Sequence, residues 1–232
     1  MKKFLKIVFI ILLCLTFTAA VLYFWMNART SQVFGNLTAK VNTTEKIVAL
    51  TFDDGPTANT PEILKYLSEQ NVKATFFVVG ESLEKNPELG KAIFEQGSEL
   101  GNHSYTHQRM VFKSPSFISS ELGKTNEEIR KTGFAGVINF RPPYGKKLLF
   151  LPWYANKLGM KTIMWNIEVD SNKSSDQIAK YVLDNVSPGS IIILHPMYNR
   201  SDLEAIPKVI AGLKEQGYNL LTVNELLEHQ QK

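Results

Sequence analysis

Apolar residues along this chain fall into two kinds of run. The first is unbroken: IVFIILLCLTFTAAVLYFWM, residues 7–26, carries no charged side chain. At about 1.5 Å per helical residue it spans about 30 Å, the hydrocarbon thickness of a bilayer. The second kind is short and recurrent. IVALTF (47–52), ATFFVV (74–79), VINF (137–140), KTIMWNI (161–167), SIIIL (190–194) and YNLLTV (218–223) have the length of buried strands. Helix signals stand between them. Thr60, Asn86 and Ser114 each precede a proline, a capping residue followed by proline at the first helical position. Ser174 with Gln177 forms a capping-box pattern, and Leu203, Ile206, Val209, Ile210 and Leu213 share one helical face. Strand and helix in sustained alternation predict an α/β fold with parallel strands and right-handed crossovers. In barrels of that kind the functional side chains sit on loops at the C-terminal ends of the strands.

The pattern divides the chain into a cytoplasmic N-terminus (1–6), a transmembrane anchor (7–26), a polar linker (27–45) and a globular domain (46–228). A secretory signal has a shorter apolar region followed by a small-residue cleavage site. Here Thr18, Ala19 and Ala20 lie inside the run with VLYFWM still to come, which favours an uncleaved anchor. Lys2, Lys3 and Lys6 precede it, so the positive-inside rule places residues beyond 30 outside the cell membrane in single-pass topology. Tyr23 and Trp25 suit the interfacial aromatic belt. Cys14, the single cysteine, lies in the apolar run, so the exported part holds no disulfide. Membrane packing suits Cys14 better than lipidation, because Leu13 is large for such processing.

Charge narrows the partners. The net charge of +4 comes from Lys2, Lys3, Lys6 and Arg29, and the remaining 22 basic residues match 22 acidic ones. A neutral exported domain gives no basic stripe for nucleic acid. A monomer with no nucleic-acid partner is the expectation.

Four segments carry chemistry. TFDDGP (51–56) ends its strand with adjacent carboxylates, Asp53 and Asp54, which repel unless something positive compensates. GNHSYTH (101–107) sets His103 and His107 four apart, which on a helical turn brings both imidazoles to one metal ion. Two neutral histidines need an anionic third ligand, and an Asp, His, His set suits zinc, with cobalt or manganese as alternatives. One aspartate can then ligate while its neighbour accepts a proton from a metal-activated water. RPPYG (141–145) offers Arg141 to pair with Asp53 and the Tyr144 amide to meet a developing oxyanion. GSIIILH (189–195) ends an apolar strand in His195, placed to act as general acid. His229, in the C-terminal EHQQK, reads as a solvated surface residue.

These four segments, in this order, resemble the polysaccharide deacetylases, carbohydrate esterase family four, over roughly residues 45–228. The resemblance implies a distorted (β/α) barrel with fewer than eight strands. It implies hydrolysis of N-acetyl groups from N-acetylglucosamine polymers, with peptidoglycan the expected polymer outside a membrane. Chitooligosaccharide or acetylxylan deacetylation, or glycan binding without catalysis, are the alternatives. It makes Asp53 the catalytic base and Asp54, with His103 and His107, the metal ligands. Arg141 orients the base, the Tyr144 amide supports the oxyanion, His195 is the acid, and Leu194 lines the pocket for the acetyl methyl. The family's Asp-Trp pair is replaced here by WNIEVDSNKSSD. Asp170 is the expected stand-in for that aspartate, ahead of Glu168. Trp165 could supply part of the missing apolar wall, although its place within a strand also fits plain core.

Overall fold

The structure, a computed structural model, describes residues 1–170 and 172–231. Its elements in chain order are α1 (Lys2–Asn27), β1 (Leu37–Thr38), β2 (Ile47–Gly55), α2 (Thr60–Glu69), β3 (Thr75–Val78), α3 (Gly80–Lys85), α4 (Pro87–Glu95) and β4 (Glu99–Asn102). There follow α5 (Pro115–Lys131), a 3-10 turn (Pro143–Gly145), α6 (Phe150–Lys157), β5 (Thr162–Ile163), β6 (Ile167–Glu168), α7 (Ser175–Asn185), β7 (Ile191–Leu194), α8 (Arg200–Glu215), β8 (Asn219–Leu221) and α9 (Val223–Glu228). Ser114 caps α5 by accepting from Phe117 N–H, and the Ser174–Gln177 capping box is formed at α7.

A six-stranded sheet runs β4-β3-β2-β7-β6, with β8 also on β2, and every strand pair in it is parallel. Single bridges Asn102↔Phe140 and Phe140↔Thr162 carry the pairing from β4 to β5. Of the expected strand VINF only Phe140 pairs, and KTIMWNI is split into β5 and β6. Helices follow the strands, as a parallel sheet requires.

β2 organises the interior. Its alternate residues serve two cores: Val48, Leu50 and Phe52 pack on the helix side with Ile192, Leu194 and the faces of α2, α5, α7 and α8. Ile47 and Ala49 join a second cluster with Phe77, Ile163, Trp165, Ile191 and Ile193. Both faces being covered, the strand is buried from Ile47 through Asp53 and apolar up to Phe52 except at Thr51, whose hydroxyl donates to Ile192 O at 2.7 Å.

The expected linker requires a correction. Leu37, Ala39 and Val41 are not part of a free stalk: β1 pairs with β5, Lys40 bridges Ser190, and Val41 is fully buried. Val41 N–H donates to Gly189 O at 2.9 Å, and a Cβ on Gly189 would sit 2.0 Å from Val41 O. The alternation of these three apolar residues is a strand signal too short to stand out from a polar segment.

Candidate active site

Asp53 and Asp54 close β2, where β7 and β3 flank it. The register pairs Phe52 with Leu194, so His195 emerges beside the carboxylates, and Asp53 with Phe77 on the other edge. Asp53 is 2% exposed, and Arg141 is fully buried beside it. The guanidinium Nη1 donates to Asp53 Oδ1 at 2.7 Å and to Thr51 Oγ1 at 2.8 Å. Its Nε and Nη2 reach the carbonyls of Ile163 and Met164, both at 3.2 Å, and its plane lies 4.0 Å from the Phe77 ring centroid. A buried ion of this kind is tolerable only when paired and bonded throughout. Burial lowers the Arg141 pKa from its ordinary value, opposed chiefly by the Asp53 charge.

The second carboxylate faces the histidines. Asp54 Oδ1 lies 3.1 Å from His107 Nε2 and 3.4 Å from His103 Nε2, and His103 Nε2 is 3.5 Å from Asp53 Oδ2. One ligand atom from each of Asp54, His103 and His107 falls within 4.8 Å of the others. His103 Nδ1 is 2.8 Å from Arg141 O, a contact that a neutral imidazole makes by donating Nδ1–H, which leaves the Nε2 lone pair aimed at Asp54. Asp54 Oδ1 is buried and, among the described residues, accepts no hydrogen bond of good geometry. A lone pair facing a carboxylate oxygen is unfavourable unless a proton or a cation lies between them, so the donor set fits a divalent ion. Burial raises the Asp54 pKa, but the close approach of the His103 and His107 imidazoles outweighs it and holds the group ionised well below the usual carboxylate range. Burial lowers the His103 pKa, and the Asp53 and Asp54 charges outweigh it, so the net direction is upward.

The histidine pair is not on a helical turn, contrary to the sequence expectation. Residues 103–107 form a loop in which Ser104 (φ 65°) and His107 (φ 56°) are left-handed. Asn102 Oδ1 accepts from Ser104 N–H at 2.9 Å. Buried Glu121 on α5 accepts from the Tyr105 and Thr106 amides at 3.0 and 2.8 Å and from Thr106 Oγ1 at 2.9 Å. Those bonds stabilise a backbone that ordinary residues avoid. Asp54 (φ 70°) and Tyr144 (φ 59°) are left-handed as well, so the site gathers four of the six non-glycine residues of positive φ among the described residues. Sequence reasoning did not single out Asn102 or Glu121. A buried acid on an amphipathic helix was the available signal.

Tyr144 occupies the 3-10 turn. The turn's own bonds use Gly145 N–H and Lys146 N–H, so the Tyr144 N–H takes part in neither. Its ring packs on His107 at 4.8 Å between centroids, under the Arg109 guanidinium at 4.9 Å. His195 is half-buried, with its N–H donated to Asp202 Oδ2 at 3.1 Å.

Three expected residues stand elsewhere. Leu194 continues the register of Ile192 and packs in the helix-side core, where strand alternation sends it. Trp165 is buried in the inner cluster, 5.4 Å from the Arg141 guanidinium, and its Nε1–H has no partner among the described residues. Asp170 is exposed and accepts from the Asn172 backbone and side chain, a local turn contact that holds it in its own loop; it forms no ion pair with His195. Glu168 pairs instead with Arg29, which follows α1 and stacks over Trp165 at 5.1 Å. Nothing in the sequence near Arg29 pointed to that contact.

A profile described as polysaccharide deacetylase matches residues 40–163. The chain belongs to the polysaccharide deacetylase family. The chain is 36% identical over 198 residues to a bifunctional xylanase/deacetylase of Pseudobutyrivibrio xylanivorans, covering 84% of this chain and 32% of that one. It is 34% identical over 187 residues to the peptidoglycan-N-acetylglucosamine deacetylase PgdA of Listeria monocytogenes, covering 79% and 39%. It thus spans about a third to two fifths of the length of these relatives. Among solved structures, a peptidoglycan N-acetylglucosamine deacetylase superposes with TM-score 0.79 at 31% identity, covering 85% of this chain and 96% of that one. A family 4 pseudoenzyme from Bacillus anthracis superposes at 0.77 and 32%, covering 86% and 72%.

Proposed function

We propose that the deacetylase is a metal-dependent hydrolase that removes N-acetyl groups from N-acetylglucosamine-containing cell-wall polysaccharide, with peptidoglycan as the polymer. The observation that carries this reading is the Asp54 carboxylate lying between two imidazole Nε2 atoms, beside an Asp53 that Arg141 holds in place. Asp54, His103 and His107 would hold zinc, or cobalt or manganese, which would activate a water and polarise the amide carbonyl.

The side chains divide the remaining work. Asp53 accepts the proton of the attacking water as its oxygen bonds to the carbonyl carbon. Tyr144 N–H donates to the carbonyl oxygen as negative charge builds there. His195 gives a proton to the nitrogen as the C–N bond breaks, releasing acetate and leaving a free amine on the sugar. Arg141 fixes the direction and charge of Asp53. Leu194 and Trp165 back the site from the two cores, and Asp170 stays outside this arrangement.

An 18-residue stretch of α1 has a mean hydropathy of 2.7, and no residue of the helix is buried in the fold. We read it as an uncleaved single-pass anchor with the catalytic domain outside the cell and no nucleic-acid partner, acting as a monomer. A second reading, glycan binding without catalysis, draws on the pseudoenzyme of the same fold.

Acetate release by the purified full-length chain from peptidoglycan, chitooligosaccharides and acetylxylan, with metal content measured alongside, separates the readings. Release from peptidoglycan, lost on chelation and in Asp54→Asn, is expected. A metal-loaded protein that releases no acetate from any of the three would leave the binding reading.

A further inference from the structure

One side of the molecule carries large apolar residues that the reaction does not use. Phe112 is 77% exposed, Phe150 54%, Leu149 43% and Trp153 40%. Phe150, Trp153 and Lys157 stand three and four apart on α6 and so share one face. Lys157 Nζ lies 5.4 Å from the Trp153 ring centroid, and Lys113 Nζ lies 4.9 Å from that of Phe117. Lone exposed apolar residues are ordinary, but grouped aromatics rimmed by lysines mark a binding face.

The position of this face names its occupant. Leu22 of α1 lines a cleft of about 420 Å³ together with Met110, Phe112, Ile118, Leu149 and Phe150. Leu22 lies five residues before Asn27, the last residue of α1, or about 7 Å below the helix end. The junction is fastened: Lys147 N–H donates to Met26 O at 3.1 Å, Lys147 Nζ to Ala28 O, and Lys146 Nζ to Asn27 Oδ1 at 2.9 Å. A helix that crosses a bilayer up to Asn27 puts Leu22, and whatever touches it, at the boundary between headgroups and acyl chains. Aromatic rings with flanking lysines are the composition that this boundary favours, the lysines meeting anionic headgroups.

We propose that Phe112, Leu149, Phe150 and Trp153 form a second, shallow membrane contact that seats the deacetylase domain on the outer leaflet. Phe112 lies five residues after His107 on the same loop, so seating would hold the site's rim against the membrane surface. The inference rests on α1 being an uncleaved anchor and is independent of the reaction.

The test uses the full-length chain in phosphatidylglycerol–phosphatidylcholine vesicles whose lipids are brominated near the headgroup end of the acyl chains, which quenches tryptophan by contact. Of the three tryptophans, Trp165 is buried, so Trp25→Phe leaves Trp153 as the accessible reporter and Trp153→Phe leaves Trp25. Both proteins should lose about half of the accessible emission, the depth of an interfacial contact. Adding Phe112→Ser and Phe150→Ser should restore the Trp153 signal and leave that of Trp25 unchanged. Quenching of Trp25 with none of Trp153 overturns the second contact and leaves the anchor standing, and a cross-link between copies through this face would name its other occupant. No quenching of either tryptophan overturns the anchor and the inference with it, whatever the acetate assay shows.

Discussion

Two carboxylates one residue apart meet opposite compensations. Asp53 is offset by the buried Arg141 guanidinium, and Asp54 by the two imidazoles. Removing one member of a buried pair strands the other charge. Arg141→Met is therefore expected to lower stability by about 3–5 kcal/mol in thermal or urea denaturation and to abolish acetate release. His195 is half-buried and bonds Asp202 through its backbone N–H, which alanine keeps, so His195→Ala should fold normally while kcat falls by about 10²–10⁴ and metal content stays at the wild-type level. The chemistry of these residues was legible from their types and order, because a metal ion or a proton transfer accepts few side chains. The pairing of Arg141 with Asp53 was legible as a possibility of charge alone. That the guanidinium would also satisfy Thr51 and two strand carbonyls was not, since those partners are 90, 22 and 23 residues away.

The loops and helices that hold these residues make their own demands. Glu121 anchors the loop of His103 and His107 from α5, and supports of metal-ligating residues typically contribute ten- to a hundred-fold in affinity. Glu121→Ala should weaken zinc binding by about that factor, read by competition with a chromophoric chelator, with the far-ultraviolet dichroism unchanged. Glu99, opening β4, has a different role. Its Oε2 accepts from Asn224 N–H at 2.8 Å and Thr75 Oγ1 at 3.3 Å. Burial outweighs those bonds and pushes its pKa up to about 7. The folded chain thus binds a proton that the unfolded chain releases at an ordinary carboxylate pKa. That contribution is fully present at acid pH and is lost as pH rises through 7, about 3 kcal/mol in all. Glu99→Gln should flatten this decline, and the difference between the two proteins' denaturation midpoints from pH 5 to pH 8 measures it. The strands that carry the site were legible as apolar runs, and their helices through proline and capping signals. The left-handed loop was not, since H-x-x-x-H fits a helical turn equally well and only Asn102 and Glu121 select the other backbone.

The molecule as a whole joins an apolar helix to a domain that begins to pair at Leu37 and is tied back to the end of that helix. Intact mass of the membrane fraction should show a chain that retains residues 7–26; a mature chain starting after Ala20 would show a cleaved leader. By itself the sequence determined the apolar span, the alternation of strand and helix, and the candidate residues for metal binding and proton transfer. Each of these depends on side-chain type and short-range period, which are local. Tertiary structure alone decided that Arg29 meets Glu168 and Trp165, that Val41 is core, and that Arg141 joins Asp53 to Thr51 and to the carbonyls of Ile163 and Met164. Those outcomes depend on which distant backbone approaches which, a matter of packing that no short segment encodes.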